Sequence, residues 1–358
     1  MKVLVLWGEA NSSNLGVQAL GAGTAALVRR VWPEADVRFQ SYGPGDAPSR
    51  IGDPKRLARA YLDRNSELRD WMRTFDLVVD TRAGDSFAEI YGLHRLTTMT
   101  AATEFAHRMK VPVVIGPQTI GPFSSRRGRL LARRSLKTAS AVLTRDQLSY
   151  DCAVELGRRP DALTTDVVFA VDVPVADRTR DVLFNVSGLL WQDNPHVDAA
   201  AYRRTVIELC RELTSAGRRI SLLAHVLASE VADNDIPAIE AVRAELDHDL
   251  EVLVPQSLSD VRSMLATGNV VIGSRMHACL NGISVGTPAV PLAYSRKFKP
   301  LLDGIGWDNT VDLRTDPDPA TAVLAALDAP DLDKRADLAR ERAQELLGRA
   351  EECLKSVR

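Results

Sequence analysis

Short apolar runs rich in Val, Ile and Leu alternate along this chain with longer stretches whose apolar positions recur every three to four residues. That alternation is the pattern of βαβ units and parallel sheets. A first series predicts strands at residues 3–7, 37–41, 77–80, 111–116, 141–144 and 165–169. A second series predicts strands at 182–186, 220–225, 251–254, 270–273, 290–294 and 310–313, with helical segments between. Residues 171–181 carry Asp, Val and Pro without a helical period and read as the linker. From 331 onward the chain is rich in Ala, Leu, Glu and Arg, with Gly348 its one Gly and no Pro, the pattern of a terminal helix with an apolar stripe. The expected fold is α/β: two doubly wound, Rossmann-like domains facing a cleft, residues 1–172 and 173–330, with a helix at 331–358 packing back on them.

Composition narrows the partners more than the fold. At 358 residues the chain exceeds one ordinary core and suits two. A formal net charge of −2 gives no global attraction to nucleic acid or to anionic membranes, so an anionic ligand would need local cations. Cys152, Cys210, Cys279 and Cys353 are far apart and make no metal-ligand spacing, which argues against a metal site or a disulfide framework. The first apolar run stops at Gly8, too short for a signal-peptide core, and no stretch approaches the roughly twenty apolar residues that span a bilayer. A cytoplasmic location is expected. A lipid-linked substrate would have to be met at the membrane surface.

The candidate chemistry gathers where predicted strands turn into helices. Gly273-Ser274-Arg275-Met276-His277 follows one apolar strand, and Ala293-Tyr294-Ser295-Arg296-Lys297 follows the next. Arg275 and His277 stand near a helix N-terminus, whose N–H groups and dipole favour negative charge, so with Lys297 they read as an anion site. Taken singly each reads rather as a capping, salt-bridging or solvated surface group; their convergence favours a site. In the first half, Asn14 lies in a turn opening a helix, Asp85 and Ser86 in Gly84-Asp85-Ser86-Phe87, and Gln118 and Thr119 in a Pro-bracketed loop. Neutral hydrogen-bonding groups there suit sugar hydroxyls. Arg145 ends another strand, where it would pair with phosphate or carboxylate, or locally with Asp146. His94, His107, His196, His225 and His248 lack metal spacing and read mostly as structural or surface groups.

In order along the chain, Asn14-Leu15-Gly16, Gly84-Asp85-Ser86-Phe87, Gly116-Pro117-Gln118-Thr119-Ile120-Gly121-Pro122, Arg145-Asp146, Thr165-Asp166-Val167-Val168-Phe169, Arg275-Met276-His277 and Tyr294-x-x-Lys297 resemble the polysaccharide pyruvyl transferase family. The resemblance implies a glycosyltransferase-B-like protein that moves the pyruvyl group of phosphoenolpyruvate onto two hydroxyls of a sugar, as a cyclic ketal, in cell-surface glycan or glycolipid synthesis. It implies that Arg145, Arg275, His277 and Lys297 hold phosphoenolpyruvate, a co-substrate, with no cofactor or metal. Many relatives are acidic where this chain has Val17-Gln18, which bears on the acceptor and on that loop.

Ketal formation needs a proton on the enol carbon, attack by one hydroxyl at the neighbouring carbon, loss of phosphate and attack by a second hydroxyl. His277 is the expected acid, since an imidazole gains and loses a proton near neutral pH. Asp85 is the first candidate base, ahead of Asp166 and Asp80. Asn14, Asp85, Ser86, Gln118 and Thr119 are the expected acceptor contacts, the acceptor being a sugar, glycolipid or polysaccharide precursor. A nucleotide-sugar glycosyltransferase, a non-catalytic glycan- or anion-binding homologue, and a transferase acting on a small molecule are the alternatives.

Overall fold

The computed structural model describes the chain except residues 10–11, 44, 228–232, 247–248 and 358. Two compact units emerge: Met1–Ala10, Leu20–Val171 and Ala343–Arg358 form the first, and Asn11–Ala19 and Asp172–Arg342 form the second. The long crossing falls in the segment without helical or strand period. The first turn after the opening strand belongs to the second unit, and the terminal helix contributes to both.

The first unit carries a six-stranded parallel sheet of β1 (Lys2–Leu6), β2 (Asp36–Gln40), β3 (Leu77–Asp80), β4 (Val113–Gln118), β5 (Ala141–Thr144) and β6 (Ala162–Leu163), ordered β2-β1-β3-β4-β5-β6. Every residue of β3, β4 and β5 is buried, as a parallel sheet covered on both faces requires. Pairings such as Val3 with Val37 and Val5 with Val79 fix the register. The helices between are α1 (Leu15–Val31), α2 (Pro54–Leu62), α3 (Glu67–Arg73), α4 (Leu93–Arg108), α5 (Arg126–Thr138) and α6 (Gln147–Glu155). Leu4, Leu6, Val78, Met99 and Phe105 build the core on one side; Ile115, Val142, Leu96, Ala132 and Leu136 build another. The strand expected at 165–169 is absent. Val167–Ala170 instead form a tight 3-10 turn, opened by Asp166, whose Oδ1 accepts the Val168 N–H at 3.0 Å. A short buried apolar run does not by itself distinguish strand from turn.

The second unit repeats the plan with β7 (Arg180–Asn185), β8 (Ile220–Leu223), β9 (Glu251–Leu253), β10 (Gly268–Gly273), β11 (Ala289–Ala293) and β12 (Val311–Asp312), ordered β12-β11-β10-β7-β8-β9. Its helices are α7 (Gly188–Trp191), α8 (Ala199–Ser215), α9 (Ile236–Glu245), α10 (Leu258–Ala266), α11 (Met276–Ser284), α12 (Phe298–Gly304) and α13 (Pro319–Leu327), followed by the terminal α14 (Leu332–Ser356). The chain winds outward from β7 to β9 and then returns to the other side of β7, so strand order reverses between β7 and β10. In doubly wound sheets ligands bind outside the strand ends at such a reversal.

Candidate active site

At the reversal the chain leaving β7 is tied to the chain leaving β10. Asn185, the last residue of β7, accepts the Arg275 N–H on Oδ1 at 2.9 Å, and its carbonyl accepts the Ser274 N–H at 3.2 Å. The Asn185 amide donates to the Leu223 carbonyl at 2.9 Å and reaches Asp235 at 3.3 Å. Asp235, fully buried before α9, is the hub. Its Oδ1 accepts from Arg275 Nη2 at 2.7 Å, Arg275 Nε at 3.1 Å and the Gly188 N–H at 2.9 Å. Its Oδ2 accepts the His225 and Val226 N–H groups, each at 2.9 Å. Gly188 is required here for space, since a Cβ would fall 1.9 Å from the Asn234 carbonyl oxygen.

Arg275 is therefore spent on scaffolding. Its guanidinium meets Asp235 and, at 3.3 Å, Asp233, and it also donates to the Asp233 backbone oxygen. Burial would lower its pKa, but the two carboxylates outweigh that and hold it raised. One guanidinium against two carboxylates leaves the trio formally at −1, which gives no pull on an anion.

His277 stands in the first turn of α11, half-exposed. Two elements position it. Gly16, in the first turn of α1, packs so closely that a Cβ there would lie 2.8 Å from His277 Nδ1. Asn281, one helical turn on, donates through Nδ2 to the His277 carbonyl at 2.8 Å and approaches His225 Nε2 at 3.4 Å. The amide orientation follows from Arg262, which donates to Asn281 Oδ1 at 3.0 Å, so Nδ2 must face the imidazole. His225 Nε2 is thus the acceptor and its Nδ1 carries the proton. Burial pushes His225 well below the usual histidine range, and the nearby His277 and Arg275 push it further. It is a neutral imidazole set against His277.

Leaving β11, Tyr294 packs its ring 5.2 Å from that of His196 and 5.3 Å from that of Phe298. Lys297 precedes α12. The His196 pKa is lowered by partial burial first and by the Lys297 ammonium second. His225 is buried, His196, His94 and His107 are exposed, and His248 lies outside the described residues. Asn14 serves as a cap: Oδ1 accepts the Gly16 N–H at 2.9 Å, and the Asn14 carbonyl accepts from Val17 and Gln18.

The remaining candidates lie in the first unit. Arg145 is 2% exposed. Its Nη1 donates to Asp166 at 2.8 Å, and its Nε and Nη2 donate to Thr119 Oγ1 at 3.1 and 2.9 Å. The local pair with Asp146 does not form, because Asp146 caps α6 through the Ser149 N–H at 2.8 Å. Gln118 ends β4 fully buried, and among the described residues neither atom of its side-chain amide has a hydrogen-bond partner within the protein. Asp80 is also fully buried, holding Arg82 Nε at 2.8 Å and the Thr103 hydroxyl at 2.7 Å, so it cannot meet a substrate. Arg82 and Ala83 both adopt left-handed backbone, at φ 47° and 51°, which costs on the order of 1 kcal/mol each. The buried Arg82 guanidinium, 4.4 Å above the Phe87 ring and bonded to Thr103 and Ser135, holds that turn in place. The turn presents Asp85, half-exposed, which accepts the Tyr91 hydroxyl at 2.7 Å, and Ser86, buried at 2% exposure.

Arg275 and His277 come together with His225 and Asn14 in the second unit; Lys297 follows the adjacent strand; Arg145, Gln118, Thr119, Asp85 and Ser86 belong to the first unit. Asp235, Asn281 and His225 escape sequence reading, since nothing local marks a partner 40 residues away for Asp235 or 56 for the two residues that meet at His225. Surface concavities of about 280 Å³ beside Tyr202 and Asp318 and about 720 Å³ beside Tyr150 and Cys353 lack His225, Arg275, His277 and Lys297 in their linings. Convergent side chains, and not those concavities, mark the site.

The sequence model of one family, polysaccharide pyruvyl transferase, matches residues 14–296. Among solved structures, UDP-GlcNAc 2-epimerase from Neisseria meningitidis bound to UDP-GlcNAc superposes with a TM-score of 0.61 at 11% identity, covering 100% of this chain and 99% of that one. MurG of Acinetobacter baumannii gives a TM-score of 0.54 at 13% identity over 99% of each chain. Anabaena Alr3699/HepE in complex with UDP and glucose gives 0.58 at 11% identity over 99% of this chain and 100% of that one. At these identities the likeness is one of fold: two glycosyltransferase-B-like, doubly wound α/β domains.

Proposed function

The chain belongs to the polysaccharide pyruvyl transferase family, and on that premise we propose that it transfers the pyruvyl group of phosphoenolpyruvate to two hydroxyls of a sugar acceptor, forming a cyclic ketal and releasing phosphate. The observation that carries the reading is the meeting of His277, at the N-terminus of α11, with the sheet's strand-order reversal. There the helix dipole and first-turn N–H groups favour an anion.

In this reading Lys297 and the start of α11 hold the donor's phosphate and carboxylate. Arg275, committed to Asp235 and Asp233, fixes the loop instead of binding the donor. His277 donates a proton to the enol carbon; one acceptor hydroxyl then attacks the neighbouring carbon and gives up its proton to a base. Phosphate leaves with the C–O electron pair, and the second hydroxyl closes the ketal as its proton departs. Net, one hydroxyl proton ends on the new methyl group and the other on phosphate or solvent. Asp85 is the carboxylate taken as base, since it is half-exposed whereas Asp80 is sealed and Asp166 is ion-paired to Arg145. The buried amide of Gln118 and the Thr119 hydroxyl suit the acceptor's hydroxyls.

The test is phosphate release from phosphoenolpyruvate with a panel of glycosides, with the acid-labile ketal sought in the product. Phosphate release that requires a glycoside and is lost in His277→Ala and Lys297→Ala supports the reading. Turnover of a nucleotide sugar with no response to phosphoenolpyruvate assigns the protein to glycosyl transfer.

A further inference from the structure

The first unit carries a surface that the reaction does not use. Helix α5 reads Arg-Arg-Gly-Arg-Leu-Leu-Ala-Arg-Arg-Ser-Leu-Lys-Thr, six cations and no acid, in a chain whose net charge is −2. Exposed along it are Arg126, Arg127, Leu130, Arg133, Arg134 and Lys137. At 3.6 residues per turn these fall within an arc of about 120°. Arg134 is neutralised by Glu104, at 2.8 and 2.9 Å. Among the described residues, Arg126, Arg127, Arg133 and Lys137 have no carboxylate partner. Leu130, 68% exposed, sits between the two pairs of arginines. Beside the first turn lie Ile90 at 65% and Tyr91 at 45% exposure, because Glu89 accepts the Ser124 and Ser125 N–H groups, each at 2.8 Å.

We propose that this face of α5, with Ile90 and Tyr91, docks the protein on a lipid bilayer with anionic headgroups. Four unpaired cations on one face meet the charge of such a surface. A soluble polyanion would satisfy the cations equally well but would give nothing to Leu130 and Ile90, whereas a bilayer interface accepts apolar side chains flanked by cations. Tyrosine suits the headgroup level. The Tyr91 hydroxyl is bonded to Asp85, so the surface runs up to the loop that offers the candidate base, where a lipid-anchored acceptor would be presented. The docking claim rests on the surface alone and stands apart from the donor assignment.

The experiment is co-sedimentation of the full chain with phosphatidylcholine vesicles with and without roughly 30% phosphatidylglycerol. Wild type is expected to partition onto the anionic vesicles and to leave them at high salt. At about fivefold per cation, Arg127→Gln/Arg133→Gln should weaken binding roughly 25-fold. Leu130→Asn should weaken it several-fold at constant charge, while Leu148→Asn, at an exposed leucine of α6, should not. Unchanged melting temperatures show that the variants fold, and the salt arm on wild type tests the charges without any variant. Equal partition onto neutral and anionic vesicles overturns the proposal. So does a Leu130→Asn variant that binds as wild type, and tight heparin binding insensitive to Leu130 would then assign the face to a soluble polyanion.

Discussion

Asp235→Asn is the sharpest probe of the scaffold behind the site. Each carboxylate oxygen accepts three contacts, Oδ1 from Arg275 twice and the Gly188 N–H, Oδ2 from the His225 and Val226 N–H groups and the Asn185 amide. Asparagine keeps the shape but must turn an NH₂ toward one of these sets of three donors, whichever way it is flipped. It also leaves Arg275 with only the partly exposed Asp233. Breaking a buried pair in this way costs about 3–5 kcal/mol. In a unit of roughly 180 residues, at about 2–4 °C per kcal/mol, that is a fall of roughly 6–20 °C in melting temperature. The assay is thermal and urea unfolding followed by circular dichroism, beside Asp198→Ala, which removes a single exposed cap on α8 and should cost about 1 kcal/mol. An Asp235→Asn protein within about 0.5 kcal/mol of wild type would refute the hub argument, and with it the assignment of Arg275 to scaffolding.

Further outcomes follow from the same geometry. Gly16→Ala should leave stability within about 1 kcal/mol, because better helix propensity offsets the displaced ring, yet should lower kcat roughly 10- to 100-fold by moving His277; full activity would contradict the contact. His225 is neutral when folded and takes a proton when unfolded below about pH 6.5, so the unfolded state binds more protons there and stability falls on acidification, by up to about 1.4 kcal/mol per pH unit. His225→Gln should flatten that slope in melting temperatures taken between about pH 5 and 7.5, and an unaltered slope would show that another group carries it.

The two sheets were legible because parallel strands buried on both faces read as uninterrupted apolar runs, as in Leu77–Asp80 and Ala141–Thr144. The run at 165–169 misled for the same reason: Thr165 through Phe169 are all buried, but Asp166 spends its carboxylate on the next turn and on Arg145. Within the site, His277 and Lys297 could be chosen from their place after apolar strands. The role of Arg275 could not, since it depends on carboxylates at 233 and 235, brought in only when β8 pairs with β7. His225 was passed over because the side chain that meets its ring comes from α11, 56 residues away in sequence. Asn14 caps the turn into α1, a role that the same side chain would fill with or without a sugar beside it.

The central claim is that phosphoenolpyruvate is bound through Lys297 and the start of α11, with Arg275 as scaffold. Calorimetric titration of phosphoenolpyruvate, and in parallel of UDP-GlcNAc, into wild type and Lys297→Met tests it most directly. The account predicts that wild type binds phosphoenolpyruvate, and that Lys297→Met binds at least about tenfold more weakly at an unchanged melting temperature, the loss of one charge-assisted contact. Undiminished phosphoenolpyruvate affinity in Lys297→Met, or binding of UDP-GlcNAc alone, would contradict it.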